Sequence, residues 1–231
     1  MTKTLCFLFI FLVLALVCGQ NLRAGDDAKW TVLALGDSTT AGTPGFRSPV
    51  EAPPRGLGDE KSQYAHWVAQ KHPGWIVLNQ GVNGQRSDQI LRRFEHEAAF
   101  SRPDAVVVLA GVVDIFQGYP AEHVEKNLER IYRLALSGGA KVAACTILPY
   151  EESTARAKNE MAKVNEWIRN YSREHKLLFC DTFSVMNDPK NPGNLAGTPD
   201  GLHPDVEGYR KMGEAIAEVL ENGLPGKDQE G

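Results

Sequence analysis

Ser38 stands where a short apolar run ends, in Leu35-Gly36-Asp37-Ser38-Thr39-Thr40, with Gly36 permitting a tight bend that would present the hydroxyl as a nucleophile. Taken alone, a serine at such a place is more often a turn or helix-cap residue. The stretch is also not the G-x-S-x-G elbow, because position 40 is Thr. Near the other end of the chain, Asp200-Gly201-Leu202-His203-Pro204 puts a carboxylate and an imidazole three residues apart in a loop. An imidazole takes a serine proton near neutral pH. A carboxylate on its other ring nitrogen fixes the tautomer and stabilises the imidazolium formed during attack. The bland reading of the second pair is a capping Asp and a surface His. With a candidate nucleophile also present, the combination Ser38, His203 and Asp200 points to acyl transfer through a triad.

The elements that must position these residues alternate along the chain. Apolar runs at 31–35, 76–78, 105–109, 142–147 and 177–180 are rich in Val, Leu and Ile without a polar alternate face, and read as strands covered on both sides. Between them Val124, Leu128, Ile131 and Ala135 recur at helical spacing, as do Met161, Val164, Ile168 and Tyr171, and later Tyr209, Met212, Ile216 and Val219. Pro120 is placed in the first turn of one such helix and Gly138-Gly139 closes it. This alternation predicts a parallel sheet. Two stretches rich in Pro, Gly, Asn and Asp, residues 42–58 and 182–204, read as loops over the carboxyl edge of that sheet, where open α/β folds bind ligands. Residues from Asn222 onward, and the block 223–231 in particular, read as a flexible tail.

The N-terminus has Lys3, an apolar run over 5–17, and small residues near Gly19 and Ala24, the pattern of a secretory signal peptide spanning 1–24 with cleavage near 19 or 24. The run is short for a membrane span, so the expectation is a secreted or periplasmic protein without stable membrane insertion. Val17 before Cys18 disfavours a lipid anchor there. The remaining residues, 25–222, suit one α/β domain. A net charge of -4, with neither a basic stripe nor an acidic block, argues against nucleic acid as a partner and fits a neutral or modest-sized small molecule better. Of the four cysteines, Cys145 and Cys180 lie inside the candidate strands and read as buried thiols, a disulfide between them staying open. His66, His72, His96, His123 and His175 lack metal-site spacing and read as surface residues. No phosphate loop and no Cys-x-x-Cys is present, so no cofactor and no metal is expected.

These blocks resemble the SGNH (GDSL-like) hydrolase superfamily. Its G-D-S-[LT]-[ST]-x-G appears as Gly36-Asp37-Ser38-Thr39-Thr40-Ala41-Gly42, its N-x-G-x-x-G as Asn79-Gln80-Gly81-Val82-Asn83-Gly84, and its D-x-x-H-P as Asp200 to Pro204. The resemblance implies a three-layer α/β/α sandwich with a five-stranded, flavodoxin-like parallel sheet. It also implies a carboxylic ester hydrolase working through an acyl-enzyme, with the N–H groups of Ser38 and Gly81 forming the oxyanion hole. Small acyl groups are favoured, acetyl on carbohydrate among them, with lysophospholipid and thioester as other family substrates. One block departs: the family's G-x-N-D reads Gly111-Val112-Val113-Asp114, so the oxyanion-hole Asn is Val113. Loss of one such donor typically costs about 10²–10³ in turnover, roughly 3–4 kcal/mol. That departure motivates an alternative reading, a catalytically weakened member that binds a glycan or lipid. Asn83, Gln85 and Gln117 are the nearby amides that would substitute.

Overall fold

The computed structural model describes residues 30–224. The expected signal peptide and residues 225–231 of the expected tail lie outside them. Five strands, β1 (Thr31–Gly36), β4 (Ile76–Gly81), β5 (Ala105–Leu109), β6 (Lys141–Cys145) and β7 (Leu178–Cys180), form one sheet in the order β4-β1-β5-β6-β7. Every pairing is parallel. A second, two-stranded antiparallel piece, β2 (Phe46–Arg47) and β3 (Leu57–Gly58), orders the first of the two predicted loops.

Both faces of the sheet are covered, which is why its strands read as unbroken apolar runs. On one face Leu33, Leu35, Val106 and Val108 pack beneath α3 (Ser87–Ser101), α5 (Ala121–Ser137) and α6 (Ala155–His175) through Ile90, Phe94, Leu128, Ile131, Val164 and Ile168. On the other, Val32, Ala34, Val107 and Ala143 meet α2 (Tyr64–Lys71) and α8 (Val206–Gly223) through Tyr64, Val68, Tyr209, Met212 and Ile216. This is the three-layer α/β/α sandwich the sequence implied. Fully buried residues such as Leu128 are worth about 2–5 kcal/mol each against truncation to Ala.

Three details differ from expectation. Pro120 is the N-cap of α5 and not a residue of its first turn, while Gly139 (φ 87) turns the chain away at the other end. The last helix passes the boundary expected at Asn222, since α8 continues through Gly223 and Leu224 is buried against the second core face. The loop at 182–204 carries a short helix, α7 (Thr182–Met186), and a bridge between Asn187 and Leu195. Cys145 and Cys180 are register partners on neighbouring strands and both are buried free thiols. Among the described residues no helix is long and apolar enough to cross a membrane.

Candidate active site

Beyond β1 the chain turns directly into a four-residue helix, α1 (Ser38–Ala41), whose first residue is Ser38. Gly36 is required there by close approach: a Cβ would lie 2.2 Å from the Leu109 carbonyl oxygen of β5. Asp37 caps the turn by accepting the Thr39 N–H at 3.0 Å. The far end of α1 is held from β4, since Asn79 Nδ2 donates to the Thr40 carbonyl at 2.9 Å and to Gln63 Oε1 at 2.6 Å. Ser38 is therefore fixed by backbone that two strands brace.

The second half of the site arrives from the loop ahead of α8. Asp200 Oδ1 accepts the N–H groups of Leu202 (3.0 Å) and His203 (2.8 Å), closing a tight turn through Gly201 at φ 79. Glu151 N–H donates to the Gly201 carbonyl at 2.7 Å, tying this turn to the segment after β6. The turn brings Asp200 Oδ2 within 2.7 Å of His203 Nδ1, and His203 Nε2 within 2.9 Å of Ser38 Oγ. Residues 165 positions apart in sequence thus stand in one hydrogen-bonded line at the carboxyl edge of the sheet. Burial alone would raise the Asp200 carboxyl, but the His203 ring and the two backbone N–H groups outweigh it and hold that carboxyl below its ordinary range.

Ser38 and His203 open onto a cavity of about 190 Å³, lined also by Asn83, Gly84, Val112, Val113, Phe116, Gln117 and Leu202. A second cleft of about 490 Å³ adjoins it through Phe116 and Leu202 and adds Tyr150, Glu151, Glu152, Asp200 and Gly201. Phe116 is 62 % exposed and meets Tyr150 edge-on, with ring centroids 5.7 Å apart. The helix α4 (Val112–Phe116) carries the cavity's apolar wall.

Gly81 does not take the place expected of it. Its N–H donates to Asn79 Oδ1 at 2.8 Å, and it does not line the cavity beside Ser38. Its smallness serves packing instead, since a Cβ would lie 2.0 Å from the Ala41 nitrogen. The last glycine of the same stretch, Gly84, reaches the cavity with φ 71, and its N–H meets no acceptor among the described residues. The sequence signal was the glycine three positions further along the motif. Val113 does line the cavity, so an apolar side chain occupies the wall where the family motif has its amide.

Asp114, from the same block, is wholly buried and accepts both the N–H (2.8 Å) and the hydroxyl (2.7 Å) of Ser87, which fastens α4 to the start of α3. His123, read as a surface residue, is partly exposed and also reaches this junction; its Nε2 lies 3.5 Å from Asp114 Oδ1 and 3.3 Å from Asn127. Asp88, Asp114 and His123 offer atoms within 4.8 Å of one another. Asp88 also pairs with Arg86 and Arg92, and Asp114 accepts from Ser87, so the cluster joins α3, α4 and α5.

A five-stranded parallel sheet between helix layers, with serine, imidazole and carboxylate in line at its carboxyl edge, is consistent with the SGNH class of α/β fold. The chain belongs to the GDSL-like lipase/acylhydrolase family, whose model matches residues 34–211. It is 26 % identical over 183 residues to a multidomain esterase of Ruminococcus flavefaciens, spanning 74 % of this chain and 22 % of that protein. Among solved structures it resembles a G-D-S-L family protein from Desulfitobacterium hafniense DCB-2 (TM-score 0.69, 26 % identity, 82 % of this chain and 99 % of that one). A catalytic mutant of an acetylxylan esterase from Geobacillus stearothermophilus shares the fold (TM-score 0.67, 20 % identity, 84 % and 96 % coverage).

Proposed function

We propose that this protein is a serine ester hydrolase acting on small acyl esters, acetyl on carbohydrate foremost, outside the cytoplasm. The observation that carries the reading is the line Ser38 Oγ to His203 Nε2 (2.9 Å) to Asp200 (2.7 Å), opening on a small apolar cavity. In the first step Ser38 Oγ attacks the ester carbonyl while His203 Nε2 takes its proton. The carbonyl oxygen becomes an oxyanion facing the N–H groups of Ser38 and Gly84. Collapse expels the alcohol, which receives the proton from His203, and leaves an acyl-serine. Water repeats the sequence, releasing the acid and restoring Ser38.

The two clefts support a division of labour. The 190 Å³ cavity, walled by Val112, Val113 and Leu202, suits an acyl group of a few carbons. The adjoining cleft offers the exposed ring of Phe116, with the largely buried Tyr150 behind it, and the carboxylates of Glu151 and Glu152, and no lysine or arginine lines it. Such a cleft accepts hydrogen bonds from hydroxyls and stacks on a sugar ring, while it repels the phosphates of a lysophospholipid or a nucleotide thioester. Hydrolysis of p-nitrophenyl esters of increasing chain length, set beside acetylated xylo-oligosaccharide and a lysophospholipid, tests both halves. The expected order is acetyl and propionyl above longer chains and the sugar ester above the phospholipid. A preference for long chains or for the anionic leaving group would overturn the substrate assignment.

A further inference from the structure

We propose that Gln117 supplies the side-chain oxyanion donor that Val113 cannot, an inference that rests on the ester-hydrolase reading. Val113 and Gln117 are four residues apart along α4, Gln117 being its C-cap, so both lie on the same face, and both line the 190 Å³ cavity with Ser38. Helical side chains lean toward the N-terminus of their helix, so a long residue covers the surface over the turn before it. Gln117 therefore leans back over the place of Val113, and its extra methylene relative to Asn lengthens that reach.

The amide is also oriented. Arg86 Nη1 donates to Gln117 Oε1 at 3.2 Å, and a guanidinium has no acceptor, so the oxygen must face Arg86 and the NH₂ must point the other way. Arg86 is itself held, by Asp88 at 3.0 Å and over the Tyr119 ring at 5.2 Å from its centroid. Gln117 Nε2 donates to nothing among the described residues, so two N–H bonds are unused at the wall of the cavity. The other amides fit less well. Gln85 does not line the cavity and its Oε1 accepts from Arg93 Nε at 3.1 Å. Asn83 lines it too and is as exposed as Gln117, but among the described residues no hydrogen bond orients its side-chain amide, only its backbone N–H being tied, to Glu51 Oε1 at 3.0 Å. In the reaction, Gln117 Nε2 would donate one hydrogen bond to the carbonyl oxygen as it becomes tetrahedral; the proton stays on nitrogen throughout.

The test measures kcat and KM on p-nitrophenyl acetate for Q117E, Q117A, N83A, V113N, V113N/Q117A and S38A, with melting curves for each. Q117A is the discriminating variant, because it removes the donor without adding charge; Q117E keeps an acceptor for Arg86 but also sets a carboxylate against the developing oxyanion, and is expected to be the more damaging of the two. Q117E and Q117A are expected to lower kcat by about 10²–10³ with KM changed only a few-fold. V113N/Q117A is expected to recover much of that loss, since an amide returns at the family's position. Wild-type kcat in Q117A, no recovery in V113N/Q117A, or the full loss in N83A instead would overturn the assignment. Failure of the hydrolase reading is separate: it would show as equal rates in wild type and S38A.

Discussion

Replacing Asp200 with Asn asks the triad to work with the wrong tautomer while leaving its turn intact. Asp200 Oδ1 holds the N–H groups of His203 (2.8 Å) and Leu202 (3.0 Å), and an asparagine oxygen serves both equally well. The amide NH₂ then occupies the position of Oδ2, 2.7 Å from His203 Nδ1. A donor facing Nδ1 forces that nitrogen to accept, so the ring proton moves to Nε2, 2.9 Å from Ser38 Oγ. In that tautomer Nε2 cannot take the serine proton. The loss of an imidazole in the correct form costs about 10⁴ in kcat, roughly 5 kcal/mol at 1.36 kcal/mol per decade. The assay is kcat on p-nitrophenyl acetate at pH 7.5, with a thermal melt and with D200A alongside. D200N should melt within a few degrees of wild type, whereas D200A gives up the turn bonds as well and should melt lower. D200N turnover within tenfold of wild type, in a folded protein, would refute the role given to Asp200.

Asp37 makes a pH prediction. It is buried with Oδ2 unpartnered among the described residues, and burial foremost, with the Asp114 charge adding to it, pushes its carboxyl up to about 7 from 3.8. The folded state therefore holds this proton more tightly than the unfolded chain. The stability it contributes is complete below about pH 3.8 and is lost as pH rises toward 7, about 4 kcal/mol over the window. D37N, which has no charge to bury, should gain on wild type between pH 4.5 and pH 8 in urea melts; a mutant-minus-wild-type difference equal at both pH values would contradict this. Gly81→Ala forces a methyl against α1, where the nearest backbone nitrogen lies 2.0 Å from the new carbon. It should cost about 1–3 kcal/mol and most of the esterase activity, because α1 carries Ser38. Gly84→Ala meets nothing within 4 Å and bears only the strain of φ 71, so it should be the milder of the two in both measurements.

What was legible in the sequence follows the length of the pattern. The runs at 31–35 and 105–109 gave their strands within a residue, and α5, α6 and α8 declared themselves through repeated apolar positions such as Val124, Leu128 and Ile131. α1, α4 and α7 did not, because helices of four or five residues complete hardly more than one turn and carry no period to read. α3 shows only one short apolar cluster, Ile90, Leu91 and Phe94, in its first two turns, too few repeats to set its bounds. In the site, Ser38, Asp200 and His203 could be named because each sits in a short motif whose residue types have a stated chemical use. Gly81 was preferred to Gly84 because both are glycines of one motif, and only the backbone path shows which N–H is already bound to Asn79. Gln117 was visible only as one of three amides, since its orientation depends on Arg86, 31 residues away. The aromatic and acidic cleft was not visible at all. Phe116 ends α4 whereas Tyr150 and Glu151 follow β6, and the two segments meet only at the sheet edge.

The central claim is that Ser38 is an activated nucleophile, and covalent labelling with a fluorophosphonate reads it without reference to any substrate. Wild-type protein should gain the mass of one adduct, mapped by peptide mass spectrometry to Ser38. H203A should label far more slowly, and S38A should not label at all. Folded wild-type protein that stays unlabelled, or an adduct on another residue, would contradict the account.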